Sequence, residues 1–141
     1  MGARNTKVVH VINSMAAGGA ERLVSDLLPR LKGLGIDCSL FVLDSRGDVF
    51  SRELIDAGIE VSFARRDGAS PYSPLRAADI GAHLAAMRPE VIHAHLGPSL
   101  HWAALVRGFA KNASLVATEH AVETRRTRNP LISRLDTAVY R

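Results

Sequence analysis

The sequence predicts an α/β protein with a doubly wound, mostly parallel sheet and helices on both faces. Short apolar runs typical of strands alternate along the chain with longer runs whose apolar residues recur at helical spacing. No two neighbouring apolar runs are joined by a hairpin signal. Successive strands are therefore expected to run parallel and to be connected through helices.

The first strand is the apolar run KVVHVIN over residues 7–13, which is typical of a strand buried on both faces. The helix after it begins near Gly18 and Gly19 and ends at the GLG segment, residues 33–35. The other four strands are expected over residues 38–43, 59–64, 91–95 and 114–118, and the last of them is also expected to be buried. The other four helices are expected over residues 51–58, before Pro89, after Pro98 and over residues 129–140, where Asn129 caps the helix and Pro130 is its first residue.

Length and charge limit the kinds of protein that this sequence can be. A chain of 141 residues fits one domain that buries roughly two-thirds of its unfolded surface. Three of its four net positive charges fall within residues 122–141, so the rest is nearly neutral and lacks the basic stripe that nucleic-acid binding needs. The arginines in that final segment fit a solvated linker or a contact with anionic lipid. They include Arg125, Arg126 and Arg128.

Cysteine usage and apolar run lengths indicate a cytoplasmic protein. Cys38 is the only cysteine, so no disulfide can form within the chain, and this suits a reducing compartment. No apolar run approaches the length of a membrane span. The N-terminal segment resembles a signal peptide only faintly, because its apolar core is short and His10 and Asn13 interrupt it.

Ligands of doubly wound sheets bind beyond the carboxyl ends of the strands. This rule selects residues 13–19, the loop that begins at Arg65, residues 93–97, and Glu119 with His120. The common nucleotide motifs are absent: the sequence has no phosphate-binding loop of the Walker type, and its only Gly-x-Gly follows a helix. It also has no Gly-x-Ser-x-Gly nucleophile elbow.

The glycine pair Gly18–Gly19 stands where the first strand gives way to a helix. Two explanations are open. The pair lets an anion approach the free amides at the helix N-terminus, or it permits close packing of the helix against a strand.

Three segments of the sequence resemble the N-terminal domain of glycosyltransferase family 4, whose enzymes have the GT-B fold, retain anomeric configuration and use nucleotide-sugar donors. The segments are HVINSMAAGGAERLVSDLLPRL, RPEVIHAHLG and LVATEH, and they occur in the family's order and spacing. The resemblance covers nearly the whole chain. It implies that residues 1–141 form the acceptor-side domain, truncated at the C-terminus, and that the C-terminal donor-binding domain is absent.

The resemblance also implies roles for residues at the carboxyl edge of the sheet. Gly18 and Gly19 would lie against the donor diphosphate, and His120 would contact the transferred sugar or the acceptor at the reaction centre. His95 would flank the acceptor pocket, and Glu119 is expected to bind the acceptor as well. Arg65 and Arg66 either grip an anionic acceptor or belong to a solvated loop.

The histidines allow one further alternative. His93 and His95 share a face of one strand, as metal ligands can, and His120 would be the third ligand of such a site. Ordinary hydrogen-bonded histidines are the favoured interpretation, so neither a metal nor another cofactor is expected. His10 in mid-strand is expected to be structural, and His83 and His101 are expected at the surface.

The sequence therefore predicts half of a glycosyltransferase that moves a sugar from a nucleotide sugar to a sugar, lipid or small-molecule acceptor. The C-terminal domain would act in cis or in trans, and the chain alone is expected to be inactive. The alternative function is a non-catalytic Rossmann-like module that binds a ligand or a partner chain.

Overall fold

The computed structural model describes residues 5–65 and 69–120, and it confirms the predicted fold class: five parallel strands alternate with helices. The strands are β1 (Lys7–Ser14), β2 (Asp37–Asp44), β3 (Glu60–Phe63), β4 (Val91–His95) and β5 (Ser114–Thr118). The helices are α1 (Gly19–Gly33), α2 (Ser51–Asp56), α3 (Leu75–Met87) and α4 (Gly97–Val106), followed by a 3₁₀ turn over Arg107–Phe109.

The strands lie in the order β3-β2-β1-β4-β5, and every neighbouring pair is parallel. Strands β2 and β3 therefore lie on one side of β1, and β4 and β5, which follow in the chain, lie on its other side. The reversal falls between β1 and β4. In doubly wound sheets the ligand crevice lies at such a switch point, outside the carboxyl ends of the two strands.

One apolar core packs on each face of the sheet, because successive side chains of a strand point to opposite faces. On one face Ile12 of β1 packs with Val24 and Leu28 of α1. On the other face Val9 and Val11 pack with residues of α3 and α4. By this alternation His10, two residues from Ile12, lies on the face that α1 covers.

The structure differs from the predictions at its last strand. The run over residues 114–118 is a strand, but it is the edge strand of the described sheet rather than a buried one, and Val116 is 44% exposed. The helix predicted over residues 129–140, the arginines at 125, 126 and 128, and Arg66 all lie outside the described residues. None of the described helices is both long enough and apolar enough to cross a membrane.

Candidate active site

The glycine pair lies exposed at the start of α1. Gly18 is the N-cap, with an extended backbone (φ −164°), and Gly19 is the first helical residue. A Cβ added at Gly19 would meet nothing within 4 Å. Neither glycine has a positive φ, and neither packs against a strand within the described residues. Close helix–strand packing therefore does not explain the pair in this structure.

Acidic and basic side chains of the first turn of α1 already have partners. The carboxylate of Glu21 occupies the space where a Cβ of residue 18 would project, and it accepts a hydrogen bond from Ser14 Oγ at 3.5 Å. A carboxylate here stabilises the positive end of the helix dipole. Arg22 points elsewhere: its guanidinium pairs with Asp26 at 3.1 Å and with Glu53 of α2 at 3.5 Å.

Three histidines form a continuous hydrogen-bonded series from the middle of the sheet to its carboxyl edge. His10 Nδ1 lies 3.1 Å from His95 Nε2. His95 Nδ1 lies 3.1 Å from His120 Nε2. His10 and His95 are buried, at 0% and 1% exposure, and His120 is half-buried. We call His10, His95 and His120 the histidine row.

Strand register explains how residues so distant in sequence meet. Ile12 is the register partner of His95, and His95 is the register partner of Thr118. His10 and His120 are each two positions from those partners, so both lie diagonal to His95 on the same face. Diagonal neighbours across adjacent strands are within reach of aromatic side chains.

His93 flanks the histidine row on the same face. Its ring stacks on that of His95 with a centroid separation of 4.1 Å, and its Nε2 lies 2.7 Å from Thr118 Oγ1. Burial, together with the nearby His93, lowers the pKa of His10 to about 3. Burial and the neighbouring histidines lower the pKa of His95 to about 2, and burial lowers the pKa of His93. These three rings are therefore neutral near pH 7.

The same rings are close enough to be compared with a metal centre. His10, His93 and His95 each offer one ring nitrogen, and these atoms lie within 4.8 Å of one another. Zinc uses such imidazole groups. Here, however, His10 Nδ1 and His95 Nε2 are hydrogen-bonded to each other at 3.1 Å, and a metal ion would have to displace this hydrogen bond. The hydrogen-bonded interpretation describes this geometry, and metal-free chemistry stays a prediction.

The turn after β4 holds His95 firmly. Asn13 Oδ1, at the end of β1, accepts a hydrogen bond from the backbone N–H of Ser99 at 3.0 Å. Ser99 Oγ donates to the backbone oxygen of His95. Between His95 and Ser99, the backbone of Leu96 has φ 71° and ψ 163°, a conformation that residues other than glycine rarely adopt. Backbone strain thus lies directly beside the histidine row, at the switch point of the sheet.

The predicted acceptor residues are not all brought together. His95 was expected to flank the acceptor, but its side chain is buried, at 1% exposure, and both of its ring nitrogens are hydrogen-bonded to other histidines. It is therefore linked to the carboxyl edge of the sheet through His120. Glu119 is exposed beside His120. Arg65 follows β3, whereas His120 follows β5. Four strand spacings, roughly 19 Å, separate those strands.

Arg65 instead lines a separate cavity of about 290 Å³, together with Phe41, Asp79 and His83 among other residues. His83 was expected at the surface. Its ring is half-buried and stacks on Phe41 with a centroid separation of 4.4 Å, and burial lowers its pKa. Its position on α3, which faces the sheet, explains the difference.

His95 and His120 were predicted site residues, whereas His10, which contacts His95, was predicted to be only structural. The signal was partly present: His93 and His95 are two positions apart on β4 and so share one face, and the pairing of His10 with His93 brings the third ring to that face. The pairing of β1 with β4 was needed to use it, and the sequence does not provide that register.

Comparison with known proteins supports the fold and the family. A family model described as Glycosyltransferase Family 4 matches residues 17–141. Among solved structures, the chain is similar to a glycosyltransferase from Rickettsia africae ESF-5, with a TM-score of 0.61 and 17% identity over 93% of this chain. This chain spans 35% of that protein. No curated protein matches the sequence.

Proposed function

The chain belongs to glycosyltransferase family 4, and from this premise we propose that it is the acceptor-side half of an enzyme that transfers a sugar from a nucleotide sugar with retention of anomeric configuration. One observation carries the proposal: the N-terminus of α1 and His120 lie at the same carboxyl edge. They follow β1 and β5, which are two strand spacings apart, roughly 10 Å. This separation suits a diphosphate and the sugar that leaves it.

In this proposal the amides at Gly18 and Gly19 meet the negative charge that develops on the departing diphosphate. Free N–H groups and the helix dipole favour an anion at this position. The open space at Gly19 supports this role, because a Cβ added there would meet nothing within 4 Å among the described residues. The side chain of Glu21 must swing away from Gly18 for the closest approach. We propose that a C-terminal donor-binding domain, in cis or in trans, supplies the remaining cationic groups and that no metal takes part.

We assign His120 to the reacting sugar or the acceptor hydroxyl. It is half-buried at the carboxyl edge, and one ring nitrogen is held by His95. A sugar, a lipid and a small molecule are all compatible acceptors. Glu119 is placed to contribute on the same side. Arg65 contributes only if the acceptor extends across the sheet. A cytoplasmic reaction, with or without contact to anionic lipid, fits the free thiol of Cys38.

The experiment compares the chain alone with the chain joined to a family 4 donor-binding domain. Both preparations are incubated with UDP-, GDP- and ADP-linked sugars, and release of nucleoside diphosphate is measured. We expect release only with the donor-binding domain present, because the chain alone lacks part of the charge stabilisation. Turnover by the chain alone would contradict the division of labour. Nucleotide binding without any turnover in the joined protein would favour a non-catalytic binding module.

A further inference from the structure

We propose that His10 and His95 are positioning residues that fix the tautomer of His120, so that its neutral ring carries its proton on Nδ1 and turns a bare Nε2 toward His95. The consequence for catalysis rests on the proposed function. The tautomer itself rests only on the hydrogen bonds of the histidine row.

The buried end of the histidine row fixes the position of the first proton. His10 Nε2 is buried and has no hydrogen-bond partner among the described residues. A neutral imidazole carries one proton, on either nitrogen. Were that proton on Nε2, a buried N–H would be left unpaired, and orphaned buried N–H groups are rarer than under-used acceptors. The proton of His10 therefore resides on Nδ1, which donates to His95 Nε2 at 3.1 Å.

This choice propagates along the histidine row. Since His95 Nε2 accepts a hydrogen bond, the single proton of His95 resides on Nδ1 and donates to His120 Nε2 at 3.1 Å. His120 Nε2 then accepts in turn, which leaves the proton of neutral His120 on Nδ1. If the donors and acceptors were reversed along the row, the proton of His10 would lie on its unpartnered Nε2.

The fixed tautomer limits what His120 does in the cleft. Its Nε2 lone pair is engaged by His95, so the ring offers the reactants an N–H donor at Nδ1 rather than a free base. His120 accordingly donates a hydrogen bond to a sugar or acceptor oxygen and does not remove a proton through Nε2. A buried histidine two strands away thus sets the hydrogen-bond polarity of the residue at the edge.

The test reads tautomers directly, by long-range ¹H–¹⁵N NMR of the 141-residue chain with labelled histidine. We expect the proton on Nδ1 in His10, His95 and His120. His10→Leu removes the donor, so His120 should become a mixture of tautomers. His10→Asn keeps an N–H where Nδ1 stands and should restore the Nδ1–H form. His101→Asn, on α4 outside the histidine row, is the matched control and should leave His120 unchanged.

Two results would overturn the proposal: a wild-type His120 protonated on Nε2, or a His120 tautomer that is the same in folded His10→Leu and in the wild type. If His10→Leu fails to fold, His95→Phe gives the same test, because it also removes the donor to His120. Activity separates this proposal from the previous one. In the joined enzyme His10→Leu should lower kcat about 10-fold with little change in KM, and His10→Asn should recover it.

Failure of the proposed function has a different signature. Wild-type rates in His120→Ala, together with the expected tautomers, would overturn the assignment of His120 to the reaction and leave the positioning by His10 intact. A loss of rate in His120→Ala with tautomers insensitive to His10 would do the reverse.

Discussion

His95 Nδ1 lies 3.1 Å from His120 Nε2 and so joins a ring that is 1% exposed to one at the carboxyl edge of the sheet. This contact makes the predicted reaction centre continuous with the interior of the sheet. It also explains why a strongly buried imidazole stands next to the switch point, where a doubly wound sheet binds its ligands.

The first prediction is that His120→Ala lowers kcat about 10²–10³-fold in the joined enzyme, because a hydrogen bond made in the transition state is lost. The free energy of unfolding should fall by no more than about 1 kcal/mol, since the ring is half-buried and water can replace its bond to His95. Initial rates and melting curves on the same preparations check both values. His101→Ala is the control and should keep wild-type rates.

The second prediction concerns the glycine pair. Gly19→Val should abolish transfer and leave the fold stable, because its side chain would project into space that is open here and that we assign to the diphosphate. Gly33→Val, at the opposite end of α1, is a matched control with equally open space and should retain activity. A melting temperature lowered by several degrees in Gly19→Val, with nucleotide affinity intact, would defeat the phosphate assignment.

Much of this arrangement could be predicted from hydrophobic pattern alone. Alternation of strands and helices is a local property, so the residues after β1 and after β5 were correctly assigned to strand ends. The pattern also predicted a buried strand at residues 114–118, yet apolar composition does not reveal which strand lies at an edge. Which side chains meet across neighbouring strands likewise depends on the register of those strands. The bond from His10 to His95 joins residues 85 positions apart, and nothing local in the sequence encodes it.

The third prediction is that glycosyl transfer needs no metal. Dialysis of the joined enzyme against EDTA should leave its rate unchanged, and elemental analysis should find less than one bound transition-metal ion per chain. The reason is that His10 Nδ1 and His95 Nε2 are hydrogen-bonded to each other and so are not available to a metal ion. Stoichiometric zinc, removed together with activity and restored by zinc alone, would show that the rings bind a metal instead.

The last prediction is that acid destabilises the fold at a pH where carboxylates are still ionised. The pKa of His10 is about 3 and that of His95 about 2 in the folded chain, mainly because of burial, whereas an unfolded histidine titrates near pH 6.5. Between these values the unfolded state binds more protons, so the free energy of unfolding falls as the pH is lowered below about 6.5 and is level above it. Each such histidine contributes a slope of up to about 1.4 kcal/mol per pH unit. Denaturant unfolding of the chain from pH 7.5 to 5 measures the slope of the unfolding free energy against pH. His10→Asn should reduce this slope by the contribution of one histidine. An equal slope in wild type and variant would mean that His10 is not held neutral by the fold.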